Sequence, residues 1–148
     1  MYNFVKFLHL AAGIVWLGGM TLLLWALRPV LVAQLPPPQR LPLLAGVLSR
    51  FFVAVWLSIA VLLLTGGFML AGVDMRVAPR GWHAMLGIGL LMFGIFGHLY
   101  FAPFRRLKAA VTAGDWPEAG RRAAQIHPLV LLNFCLGWLA VAAALLWR

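Results

Sequence analysis

Polar and apolar residues do not alternate along most of this chain. The apolar ones run on, in four stretches at about 4–27, 51–72, 82–104 and 126–147 that hold hardly a charge. Roughly 20 apolar residues, at a helical rise of about 1.5 Å each, cross the hydrocarbon layer of a bilayer. The pattern therefore predicts four spanning helices, with connections too short to hide a soluble domain. The expected fold is all-α, an integral membrane antiparallel four-helix bundle forming one domain over residues 1–148. The first run is too long for the apolar core of a cleaved signal peptide and no small-x-small cleavage site follows it, so it is expected to stay as a helix. In the connections, "LPPPQRLPLL" reads as a proline-rich turn into the second span, and "DWPEAGRR" as a short helix start with Asp115 and Glu118 in capping-box spacing. Trp82, Trp116 and Trp147 fall near span ends, where amphipathic rings prefer to lie, and no internal repeat is present.

Composition agrees with lipid as the solvent: 64% of residues are hydrophobic and only 10% charged. In a soluble chain the net charge of +9 would suggest nucleic acid. Here the cations flank the spans, so membrane lipid is the expected partner and nucleic acid is not. An up-and-down path puts Arg28, Arg40, Arg50, Arg105, Arg106, Lys108, Arg121 and Arg122 on one side, against Lys6, Arg76, Arg80 and Arg148 on the other. By the positive-inside rule the richer side is expected to be cytoplasmic, so both termini face outward, to the periplasm if the membrane is a bacterial inner membrane, the expected location. The single cysteine, Cys135, lies inside the fourth run and allows neither an internal disulfide nor a thiolate cluster.

Histidine is costly inside a bilayer unless bonded or liganded, so each of the four needs an account. The antiparallel path sorts them by depth into His9 with His83 near the outer face and His98 with His127 near the inner one. That suits two bis-histidine sites, and the rise along helix three separates His83 from His98 by roughly 22 Å. On the same helix His83, Gly87, Gly94 and His98 share a stripe roughly 60° wide, and Gly13 sits one turn after His9, so a flat macrocycle has room to approach. Lys6, Arg80 and Arg50 stand where haem propionates would meet water. Read this way, His9 and His83 ligate one haem b, and His98 and His127 a second. His127 carries the least of the pattern, because Pro128 follows it and marks a helix start. The plainer reading is that the glycines serve helix packing, the histidines bond neighbouring carbonyls or hydroxyls, and the cations snorkel. Copper is a further reading, since Met1, Met69, Met75 and Met85 fall toward the outer side with His9, His83 and Asp74. Thioethers with imidazole suit Cu(I), although no tight methionine cluster occurs.

The stretches "LHLAAGIVWLGGM", "LRP", "SRFF", "LLLTGGFML", "GWHAML", "IFGHLYF" and "RRL" resemble the CopD-like membrane proteins, and the layout is similar to that of the HemJ-type protoporphyrinogen oxidases. The HemJ resemblance implies haem b around His9. In the Gly-Trp-x-His-x-Lys motif of that family, Gly81, Trp82 and His83 match with one residue deleted, and Met85 stands where the required lysine would be. The CopD resemblance implies an inner-membrane role in copper uptake or resistance. Taken together, these features lead to an expected CopD-like haem b protein that passes single electrons, with quinol as a donor. The alternatives are a copper transporter, a HemJ-type oxidase, and a membrane subunit whose histidines only pack.

Overall fold

The computed structural model describes residues 1–147. It contains four long helices: α1 (Tyr2–Gln34), α2 (Pro37–Leu70), α3 (Arg80–Ala113) and α4 (Trp116–Leu146), each long and apolar enough to cross a membrane. No strand occurs among the described residues. The α1 and α2 helices pack along one another as a hairpin, as do α3 and α4.

The helices are longer than the apolar runs. At 31 to 34 residues each they reach about 50 Å, against a hydrocarbon layer of about 30 Å. The expected connections Arg28–Arg50 and Arg105–Gln125 are mostly helical, and only Leu35–Pro36 and Gly114–Asp115 separate the helices there. The reason is an amphipathic stripe. Leu41, Leu44, Ala45 and Leu48 on α2 and Leu107 and Ala110 on α3 are buried at spacings of three and four, and Ala119 and Ile126 on α4 at a spacing of seven, two helical turns. The polar positions between them carry the basic residues, so the bundle continues past the bilayer as an ordinary water-facing one.

Local chemistry sets the two tight turns at this basic end. Pro36 is extended (φ −68°, ψ 159°) ahead of Pro37 in the first turn of α2, where a missing N–H costs nothing. Gly114 takes the left-handed conformation (φ 69°) that closes α3. Asp115 caps α4 by accepting from the Glu118 N–H at 3.1 Å. The reciprocal half of the capping box is absent, because the Glu118 carboxylate pairs with Arg122 at 2.6 Å and Arg121 at 3.4 Å.

Two π-helical turns interrupt the ladders, Leu23–Leu27 in α1 and Tyr100–Phe104 in α3. The second contains Pro103, which has no N–H to donate and whose ring crowds the preceding turn; a wider turn relieves both. The hairpins meet through aromatic rings near the bundle middle: Trp16 stacks on Phe93 at 5.8 Å, and Phe52 lies edge-on to Phe96 and Phe104 at 5.2 and 4.7 Å. Toward the termini the packing thins. No residue of α1 before Ala12 is buried, nor any of α3 from Trp82 to Leu91.

Candidate functional site

His9 is half-buried on α1, and its Nδ1 lies 2.8 Å from Thr65 Oγ1 on α2. The Thr65 hydroxyl donates to the Val61 carbonyl at 2.5 Å, one turn back on its own helix. A hydroxyl has one hydrogen, so toward His9 it can only accept, and Nδ1 must carry the proton. The lone pair of the neutral ring is therefore at Nε2. Gly66 borders the ring: a Cβ there would stand 3.4 Å from His9 Cε1, an ordinary van der Waals contact. Met69 lies one turn beyond Thr65 on nearly the same face of α2 and is half-buried, as is Met85 on α3.

His83 is exposed, and its Nδ1 is 3.3 Å from the Pro79 carbonyl of the preceding turn. Gly87, Gly94 and His98 are exposed on the same stripe of α3. A Cβ added at Gly13, Gly87 or Gly94 would meet no atom within 4 Å, so these glycines make no room for a neighbouring helix of this chain. The close approaches use others: a Cβ at Gly19 would strike the Phe51 ring, at Gly137 the Leu17 side chain, and at Gly81 the carbonyl oxygens of Ala143 and Trp147. Gly81, which opens the "GWH" motif, is thus the point where the start of α3 touches the end of α4, and its N–H donates to the Trp147 carbonyl at 3.0 Å.

His127 is the twelfth residue of α4 rather than part of a helix start, because Pro128 is accommodated inside that helix. It lines a small cavity with Arg28, Leu23, Leu24, Leu44 and Leu48, and its buried Nδ1 has no hydrogen-bond partner. His98 faces out of the bundle while His127 faces α1 and α2. Among the described residues no hydrogen bond joins any two of the four histidines, and no group of three or more His, Cys, Asp or Glu converges. Lys6, Arg80 and Arg50 are exposed and make no ion pair among the described residues.

Sequence reasoning passed over Thr65, Gly66 and Asn133. Asn133 was findable, as an amide inside the apolar run "LVLLNFCLGW". Thr65 and Gly66 carried no such signal, since small residues are ordinary in spanning helices.

The family profile described as Copper resistance protein D matches residues 45–147, well over half of the chain. The match covers most of α2 and all of α3 and α4, and stops short of α1 and His9. Neither the curated proteins nor the solved structures gave a match.

Proposed function

This chain belongs to the copper resistance protein D (CopD) family, and from that premise we propose that it is a membrane protein of copper uptake or resistance that takes Cu(I) at the end of the bundle carrying the termini. The observation that carries this reading is the His9–Thr65–Val61 chain. It commits the Nδ1 proton of His9 and leaves Nε2 as a preset donor, the arrangement by which a neighbouring acceptor orients a metal-binding imidazole. Met69 and Met85 at the same end supply the soft thioethers that Cu(I) prefers. Copper is the cargo here, and no redox step is needed.

The test is anaerobic titration of the purified protein with Cu(I) against a chromophoric Cu(I) chelator. His9→Ala should weaken the tightest site by at least about tenfold, the lower end of what disturbing even an orienting partner costs. Parent-like affinity in His9→Ala would reject the assignment.

A haem b reading is favoured by one other observation, the open surface at Gly87 and Gly94 between the exposed His83 and His98. Bound there, haem b would supply one-electron transfer, with a quinone as the partner class. His83 and His98 are roughly 22 Å apart along α3, so each would offer one axial imidazole to a separate haem on that face, and the two glycines leave it flat. A reduced-minus-oxidised absorption spectrum decides between the readings: sharp haem bands support the second, and a featureless difference spectrum removes it.

A further inference from the structure

Arg28 closes the apolar run of α1, and the side chains exposed around it on that helix, Leu22 and Trp25 before it and Val30 and Val32 after it, are apolar. Arg28 itself is half-buried. Local sequence sets its position. Pro29 cannot donate a backbone hydrogen bond, and the π-helical turn Leu23–Leu27 just before it ends in a bond from the Arg28 N–H to the Leu23 carbonyl, five residues back. The wide turn brings Leu23, Leu24 and Arg28 to one wall of a cavity of about 20 Å³, with Leu44 and Leu48 of α2 and His127 of α4 among its other walls.

A half-buried cation at the edge of the hydrocarbon layer is costly without a counter-charge. The chain has three Asp and Glu residues, and none supplies it. Asp74 accepts from the Arg76 N–H at the opposite end, Asp115 caps α4, and Glu118 pairs with Arg121 and Arg122. His127 is unsatisfied too. Two side chains carry a buried polar atom without a partner; Asn133 still donates its amide N–H to the Met92 carbonyl at 3.2 Å, whereas His127 makes no hydrogen bond to any described residue. The counter-charge therefore has to come from outside the chain. A water molecule fits the cavity and brings no charge. At this level of a bilayer the abundant anion is a lipid phosphate, and the parts suit it. A guanidinium binds two phosphate oxygens at once, an imidazole N–H adds a donor, and the leucine walls and apolar surface of α1 suit an acyl chain. The cavity admits about one oxygen, so the rest of the phosphate lies at its mouth. We propose that Arg28 and His127 hold the phosphate of an anionic phospholipid, one per bundle, in the notch between α1 and α4. The site is independent of the metal readings above.

The test uses the purified protein in nanodiscs of phosphatidylglycerol and phosphatidylcholine in equal amounts. Native mass spectrometry should find one phosphatidylglycerol still bound when the other lipids have been stripped. Arg28→Gln and His127→Phe should each weaken that binding at least about tenfold, the worth of one hydrogen bond to a charged group. Arg105→Gln and Arg121→Gln, which remove exposed cations at the same end, should keep it. In detergent, added phosphatidylglycerol should raise the unfolding temperature of the parent and of Arg105→Gln, and leave that of Arg28→Gln unmoved. Parent-like retention in Arg28→Gln overturns the site, as does an equal loss in Arg105→Gln, which would make the effect one of general charge. Equal retention of phosphatidylcholine overturns the choice of an anionic headgroup, and equal stabilisation by inorganic phosphate at the same concentration overturns lipid as its source. Where Arg28→Gln does not fold, the parent decides: no retained lipid and no stabilisation by phosphatidylglycerol overturn the proposal.

Discussion

Thr65 has one hydroxyl hydrogen and spends it on the Val61 carbonyl, so its oxygen is free to accept from His9. Thr65→Val keeps the shape and removes that acceptor, leaving the Nδ1 proton of a half-buried imidazole without a partner. The expected cost is about 1–3 kcal/mol of stability, the usual penalty for orphaning a buried donor. Cu(I) affinity should fall roughly 10- to 100-fold, because the ring loses its preset tautomer and orientation. Thermal unfolding and chelator competition on the same preparation measure both. If Thr65→Val lowers stability and leaves Cu(I) affinity unchanged, the bond is structural and His9 is not its beneficiary as a ligand. No ion pair among the described residues enters this end of the bundle; those present join Glu118 to Arg121 and Arg122 at the opposite one.

Within α3, glycines a few residues apart do opposite things. Gly81 is buried where α3 meets the last turn of α4, and any Cβ there collides with backbone oxygens that cannot step aside. Gly81→Ala should therefore destabilise the protein by about 1–3 kcal/mol through overpacking. Gly87 is exposed with open space around it, so Gly87→Ala should stabilise the helix by up to about 1 kcal/mol. Unfolding of the two variants in one detergent checks the contrast, and Gly87→Ala coming out as the more damaging would show that a partner covers this face. Gly87→Leu extends the comparison to haem. A loss of haem per folded protein would support the macrocycle reading, and equal haem content would end the idea that Gly87 clears space for it. The element scale also explains Pro103, tolerated in mid-helix because a π-helical turn surrounds it.

For the whole molecule, the asymmetry of charge and length is the controlling feature. All four helices overrun the bilayer at the end that carries eight of the twelve Lys and Arg residues. We expect that end in the cytoplasm and both termini outside, because basic flanking residues are retained on the cytoplasmic side. Reporter fusions near Lys108 and at the C-terminus test it; activity of a cytoplasm-only reporter at the C-terminus would invert the orientation, and Cu(I) would then meet His9 from the inside.

Hydropathy alone was enough to establish four spans, their alternating direction and the charge asymmetry, since each depends only on how much apolar surface a run of residues carries. It left the helices beyond those spans unmarked, because the amphipathic stripes Leu41–Leu48 and Ala119–Ile126 average out to ordinary polarity while still burying one face. Depth was legible as well: four histidines can be ranked along the bilayer by counting residues. Direction around each helix was not. Lipid tails are as apolar as a protein core, so an apolar sequence carries no mark of which face meets lipid and which meets another helix. Only side-chain shape in three dimensions put His9 against Thr65, turned His83, Gly87, Gly94 and His98 outward, gave the close contacts to Gly19, Gly81 and Gly137, and left the oxygen of Asn133 buried without a partner.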